Sequence, residues 1–263
     1  MDLLTQGRTV LITGSAEGGI GYQVAQMLAA EGAKLVLVDI NEAAITASAT
    51  KLAAQIGRDV TAIATDIADP QSVARLYDQA TAAAGPIDIL VNCAAIVSDK
   101  LFLESDYSDW DRMTKICLFG PMNLIKAFAP GMVERGFGRI VCLASDSARL
   151  GQARLSYYAA AKAGVVALCK SVAQELGPSG VTVNVVSPGA TNTSLRQARE
   201  ASLLAQMGPE KYAKREQTVL RMYPLRRVGK PDDIAAMIAF IASDQASWFT
   251  GQVVSVNGGF AMP

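Results

Sequence analysis

The chain has 263 residues, with 24 Lys plus Arg against 24 Asp plus Glu and no His. Zero formal net charge argues against nucleic acid or an anionic membrane as partner and leaves a small molecule. Lacking His, the chain can form no Ser-His-Asp or Cys-His nucleophile, and it is also without the commonest general base and metal ligand.

No linker or low-complexity segment divides the sequence, so residues 1–263 read as a single α/β domain. The start, MDLLTQGRTVLIT, carries no basic region followed by a long apolar run, and no later stretch approaches about 18 uninterrupted apolar residues. A cytoplasmic protein is expected. Cys93, Cys117, Cys142 and Cys169 are widely spaced, with no CxxC pair, and read as buried free thiols rather than metal ligands.

RTVLIT, residues 8–13, has the pattern of a buried strand, and TGSAEGGIG follows before the helical pattern YQVAQMLAAEG. In such a strand, loop and helix, Gly14 permits a tight turn. Gly19 and Gly21 let the backbone approach a pyrophosphate at the helix N-terminus, where unpaired N–H groups attract anions. The strand KLVLVD ends at Asp39, 20 residues after Gly19, which is the spacing expected of an acid that binds a ribose. Its charge repels a 2′-phosphate and no Arg stands beside it, so NAD is favoured over NADP.

A helix over residues 41–55, the strand DVTAIAT, a helix over 70–84 and the strand IDILVN continue the alternation. Asp66 and Asn92 stand at strand exits, where ordinary loop or cap residues are as well placed as functional ones. A helical pattern from Ser108 to about Phe128 should stop near Pro130, and RIVCLA then gives another buried strand. Ser145 follows it, and Tyr158 and Lys162 lie four apart on an Ala-rich helix, hence on one face. An ammonium beside a phenol favours the phenolate, which makes Tyr158 a candidate acid/base lowered towards neutral pH. VTVNVVSPG is a sixth strand ending at Pro188 and Gly189, and GQVVSV, after a helix beginning at Pro231, is a seventh. Between them, about 190–228, lies a polar region with helical patches, either a substrate-covering segment or a surface excursion. Near-continuous apolar strands alternating with helices predict a doubly wound parallel sheet with helices on both faces. Arg149 and Arg154, between Ser145 and Tyr158, are placed to meet a substrate carboxylate or phosphate or simply to face solvent.

TGSAEGGIG, VNCAAI, the set Ser145, Tyr158 and Lys162, SPGATNT and the tail from PLRRVGK to VNGG together resemble the short-chain dehydrogenase/reductase family over essentially the whole chain. The resemblance implies a Rossmann fold and reversible hydride transfer between NAD and a secondary alcohol or ketone. Tyr158 would be the acid/base, Ser145 would hold the substrate oxygen, and Lys162 would lower the Tyr158 pKa and bind the nicotinamide ribose. It further implies cofactor contacts at Gly14, Ser15, Gly19, Ile20 and Gly21 in the loop, at Asp39 and Ile40 by the adenosine ribose, and at Asp66 and Ile67 by the adenine. Asn92, Ala94, Pro188, Gly189, Thr191 and Thr193 would complete the cleft. No metal is implied, and family members are often tetramers joined through the long helices and the C-terminal strand.

Two departures from the family pattern stand out. The glycine loop has one extra residue, and Cys117 replaces an Asn whose backbone carbonyl helps hold a proton-relay water. The Cys117 helix is therefore expected to be less distorted, with the thiol as core filler. This departure also keeps open an alternative, a catalytically impaired NAD-binding protein of the same fold. A hydrolase using Ser145 fits least well, because no G-x-S-x-G elbow surrounds it.

Overall fold

The computed structural model describes Leu3 and residues 5–262; Met1, Asp2, Leu4 and Pro263, and with them part of the N-terminal stretch read for a leader, lie outside the described residues. In chain order the elements are β1 (Thr9–Thr13), α1 (Ile20–Ala30), β2 (Lys34–Asp39), α2 (Glu42–Ile56), β3 (Thr61–Ala64), α3 (Pro70–Ala84) and β4 (Ile89–Asn92). There follow α4 (Tyr107–Thr114), a π-helical turn at Lys115–Phe119, α5 (Gly120–Glu134), β5 (Gly138–Leu143), the short α6 (Ser147–Leu150), α7 (Ser156–Leu176) and β6 (Val181–Pro188). The chain closes with α8 (Ser194–Met207), α9 (Pro209–Arg221), α10 (Pro231–Ala242) and β7 (Val253–Val256).

The strands form one sheet in the order β3-β2-β1-β4-β5-β6-β7, every pair parallel. This is the predicted doubly wound architecture: the order reverses between β1 and β4, and the crevice beyond their carboxyl ends is where such sheets bind ligands. β1, β4 and β5 are buried at every position, as strands covered on both faces must be. Alternate residues feed two separate cores. Val10 and Ile12 pack with Val24 and Leu28 of α1 and Ile234 and Ile238 of α10. Leu11 and Leu90 face the other way, towards Leu76 of α3, Phe128 of α5 and Val165 of α7.

Pro130 does not stop its helix. α5 runs through it to Glu134, because Leu124, Phe128 and Met132 bury one face against the sheet and that burial outweighs the lost backbone hydrogen bond. The helical run 107–134 is long and apolar enough by length and composition to cross a membrane, although Lys115, Asn123 and Lys126 interrupt it. Its apolar residues are core: Leu124 and Met132 are fully buried and Phe128 nearly so. The region 190–228 contains two helices, α8 and α9, with no buried residue in either, plus a lone parallel bridge between Thr191 and Gly229.

Phe128 is 2 % exposed and its ring lies 5.4 Å from that of Tyr77. Phe128→Ala is expected to lower unfolding free energy by about 3–5 kcal/mol, read from the urea midpoint of tryptophan fluorescence.

Candidate active site

The glycine loop is built on close contact. Gly14 has φ +62°, and a Cβ there would lie 2.7 Å from the Ala94 backbone; a Cβ on Gly21 would lie 2.5 Å from the Gly14 carbonyl. Both must be glycine for β1, β4 and α1 to meet. Gly19 caps α1 with an ordinary φ of −103° and no side-chain cap, so the first N–H groups of the helix stay open, as anion binding requires. The left-handed position of the GG pair is Gly18, φ +87°, which sequence reasoning missed because adjacent glycines look alike. Its carbonyl accepts from Ser194 N at 2.9 Å, joining the loop to the start of α8.

Ser15 is fully buried, and its hydroxyl accepts from Val38 N at 3.0 Å and donates to Ile12 O at 2.9 Å. Its side chain is thus a pin between β1 and β2 rather than a group pointing into the crevice. The lengthened loop is moored to α2: Glu17 N donates to Ser48 Oγ at 2.9 Å, and the Glu17 carboxylate pairs with Lys51.

Asp39 stands at the end of β2 with Oδ1 accepting from Asn41 N at 3.1 Å, and Ile40 beside it is 69 % exposed, an open apolar surface at the crevice edge. Asp66 is exposed and turns back to accept from Ala68 N, while Ile67 is buried and packs on Gly120. Asn92 is buried at the end of β4; its Oδ1 accepts from Thr13 Oγ1 at 2.6 Å, and its Nδ2 has no partner. Ala94 N donates to the same Thr13 hydroxyl. Across the crevice, Gly189 N donates to Val256 O and Thr191 Oγ1 donates to Gly189 O; Thr193 caps α8 by accepting from Arg196 N. These residues stand at or just beyond the carboxyl ends of β1 to β4 and β6, with Ile20 opening α1.

Ser145, Tyr158 and Lys162 come together where β5 and α7 meet. Ser145 Oγ accepts from Ser147 N at 3.3 Å and from Ser147 Oγ at 2.9 Å, which leaves its own proton free to point elsewhere. Lys162 is 1 % exposed; Nζ donates to Leu143 O at 2.7 Å and lies 6.0 Å from the Tyr158 ring centre. The predicted lowering of Tyr158 is not found. Burial pushes the phenol well above its ordinary value, the neighbouring Cys117 adds to this, and the hydrogen bond from Ser145 offsets only part. Tyr157 points away, donating to Ser98 Oγ at 2.8 Å.

Cys117 also corrects an expectation. It sits in the π-turn Lys115–Phe119, so the helix is distorted without an Asn side chain. Cys117 is fully buried and its thiol approaches Ile96 O at 3.5 Å. All four cysteines are free; burial pushes Cys93 up to about 12, and no cluster of metal-ligating side chains occurs among the described residues.

Above the site an acid gathers two arginines. Asp99, in the loop after β4, accepts from Arg154 before α7 and from Arg199 Nε of α8 at 2.8 Å. On α8, Glu200 binds Arg215 at 2.7 Å, Tyr212 at 3.0 Å and Arg196 at 3.4 Å, clasping α9. Asp99 was not legible as a hub in the sequence, since Arg154 and Arg199 are 55 and 100 residues away in the chain; Glu200 was missed although Arg196 stands four residues before it. Arg149 donates to Ser255 Oγ at 2.6 Å, so it and Arg154 both have partners within the chain.

Burial raises the Asp99 pKa, but the bonds from Arg199 and Arg154 overcome this and hold its carboxyl below the ordinary range. A depressed carboxylate stabilises the fold above its unfolded pKa of about 3.9 and loses that contribution as pH falls through the folded value. Exchange of α8 amides, corrected for intrinsic rate, is therefore expected to rise below about pH 4, and Asp99→Asn to show that rise already at pH 7. Because the π-turn already exists, Cys117→Asn should lower stability by about 1–3 kcal/mol through a buried amide lacking partners, measured by thermal unfolding, and should not raise kcat.

A family model described as Enoyl-(Acyl carrier protein) reductase matches residues 14–261. The acetoacetyl-CoA reductase of Allochromatium vinosum is 35 % identical over 256 residues, 97 % of this chain and 99 % of that protein. The 3-oxoacyl-(acyl-carrier-protein) reductase FabG of Salmonella typhimurium is 33 % identical, covering 98 % of each chain. The crystal structure of L-sorbose reductase from Gluconobacter frateurii, complexed with NADPH and L-sorbose, superposes with a TM-score of 0.94 at 28 % identity over 100 % of both chains. With the parallel sheet, the glycine cradle and the Ser145, Tyr158 and Lys162 set in place, the chain belongs to the short-chain dehydrogenase/reductase family of oxidoreductases.

Proposed function

We propose that the protein transfers a hydride reversibly between NAD(H) and a secondary alcohol or ketone, with Tyr158 as general acid/base. The observation that carries this reading is the meeting of Ser145, Tyr158 and Lys162 at the carboxyl end of β5, beside a glycine cradle at the switch point.

The residues present fit a nicotinamide dinucleotide. The cradle admits no Cβ at Gly14 or Gly21, the N-terminus of α1 is uncapped, and the buried Asn92 Nδ2 is an orphan donor. We assign Gly14, Gly19, Ile20, Gly21 and the Ser15 backbone to the pyrophosphate side, and Asp39 and Ile40 to the adenosine ribose. Asp66 and Ile67 go to the adenine, and Asn92, Ala94, Pro188, Gly189, Thr191 and Thr193 to the nicotinamide side. When bound, the cofactor supplies or accepts the hydride. Ser145, with Ser147 occupying its lone pairs, directs its proton to the substrate oxygen. Tyr158 gives its proton to that oxygen as a carbonyl is reduced and takes it back as an alcohol is oxidised. Burial keeps the phenol in the donating form, and the Lys162 ammonium, 6.0 Å from the ring centre, would stabilise the phenolate left behind. Lys162 uses one of its three protons on Leu143 O, leaving two for a ribose.

The Asp39 charge supports NAD, although the sorbose reductase structure holds NADPH, so both cofactors belong in the assay. The region 190–228, tied to the loop after β4 by the bond from Arg199 to Asp99, would act as the substrate cover. We further read a cytoplasmic homotetramer, with no nucleic acid or membrane partner; an apolar groove between α5 and α7, lined by Ile125, Ala129, Leu168 and Val172, supports a second copy there. The distortion around Cys117 weakens the alternative of a catalytically impaired NAD-binding protein.

Purified protein should turn over acetoacetyl-CoA, other 3-oxoacyl thioesters, L-sorbose or a cyclic ketone with NADH, read at 340 nm. Tyr158→Phe is expected to remove at least about 100-fold of kcat while NADH binding persists, and activity within about tenfold of the parent would reject the assigned proton donor. Asp39→Ala should narrow the ratio of NAD to NADP kcat/KM; a parent that already prefers NADP would overturn the ribose assignment.

A further inference from the structure

Asp146 follows Ser145 directly and is 1 % exposed. Its Oδ1 accepts from Ser187 Oγ of β6 at 2.6 Å and from Ser255 Oγ of β7 at 3.1 Å, and its Oδ2 accepts from Asn257 Nδ2. The main chain is tied as well: Asp146 N donates to Pro188 O at 3.2 Å, and Asp146 O accepts from Arg149 N at 3.0 Å and Leu150 N at 3.1 Å. One residue thus joins the turn after β5 to the ends of β6 and β7. No cation pairs with this carboxylate among the described residues; positive charge reaches it through Ser255, whose Oγ also receives Arg149. Asn257 in turn donates to Ala261 O at 2.8 Å and accepts from Gly259 N at 2.9 Å, so the C-terminal segment is ordered by the same contacts.

A buried carboxylate is stable only when its lone pairs are satisfied, so these donors and Asp146 stand or fall as a set. The set fixes the backbone between Ser145 and Ser147, the two residues whose hydroxyls meet at 2.9 Å. A serine hydroxyl on a short turn aims only as well as that turn is held.

We propose that Asp146 is a positioning residue: its carboxylate locks the Ser145 turn to the exits of β6 and β7 and to the segment 257–261, and the aim of Ser145 at the substrate oxygen depends on that lock. The proposal rests on the role given to Ser145 above. It makes the C-terminal residues part of the catalytic geometry without any of them touching substrate.

The test is Asp146→Asn, nearly isosteric, which presents an amide donor where donors already converge. Ser187 and Ser255 hydroxyls can turn, but the Asn257 amide can flip only by giving up Ala261 O and Gly259 N. With acetoacetyl-CoA and, separately, L-sorbose as carbonyl probes, kcat should fall by about 10- to 100-fold, as expected for a misplacement of about 1 Å. NADH affinity, read by cofactor fluorescence, should stay within about twofold, a split that general loss of stability would not give. Amide exchange should rise in residues 145–151 and 257–261 and stay unchanged in α1 and α3. The double variant D146N/N257D, which restores a donor and acceptor pair, should recover part of kcat. Ser187→Ala, which removes one donor, is the milder variant should Asp146→Asn not fold, with the same pattern at reduced size.

Ser145→Ala separates the two readings. If it is inactive while Asp146→Asn keeps kcat within about threefold, the proposal is overturned and the role of Ser145 stands. If Ser145→Ala turns over like the parent, the role of Ser145 falls and the positioning role of Asp146 falls with it. If neither probe is a substrate, exchange decides: a rise confined to the two segments upholds the lock, and unchanged or global exchange overturns it.

Discussion

The end of β1 and the end of β4 approach so closely that a single carbon between them is too much. Gly14 lies against the Ala94 backbone with no room for a Cβ, Gly21 lies against the Gly14 carbonyl, and Thr13 bonds Asn92 across the same seam. This seam is the switch point of the sheet, and the crevice exists because the two βα turns leave it in opposite directions. The uncapped N-terminus of α1 follows β1 on one side of it, and the turn carrying Ser145 follows β5 on the other.

The electrostatics of the rim follow from burial more than from charge pairing. Lys162 is buried beside Leu143 O, Tyr158 is held in its protonated form, and Asp146 is buried among neutral donors. Each is costly alone and tolerable only with its partners, so the site is rigid where chemistry is proposed. The ion-paired hubs Asp99 and Glu200, by contrast, lie further out and hold α8 and α9 through side chains that water can still reach.

The central strands were legible because burial on both faces writes a continuous apolar run, and all seven strands, including the less buried β3 and β7, appear within a few residues of where the sequence puts them. Ser145, Tyr158 and Lys162 were legible because two lie four apart on one helix and the third ends a strand. Pro130 misled because a proline signals a stop locally, while Phe128 and Met132 on the buried face decide globally. Cys117 misled because the π-turn does not depend on that one side chain. The lowered Tyr158 pKa failed because spacing reports the neighbour and not the desolvation. Asp99 and Asp146 were invisible for a common reason: their partners are brought to them by the fold, from segments up to 111 residues away; Glu200 gathers nearer ones, Arg196 four residues before it and Tyr212 and Arg215 on the next helix.

The two helices α8 and α9 bury no residue in either core, whereas each face of the sheet is closed by its own set of helices. The residues of α8 and α9 and those that keep the sheet folded are thus separate sets. Changes in 194–221 therefore leave both cores beneath the sheet intact, so this segment can vary in sequence at little cost to the fold.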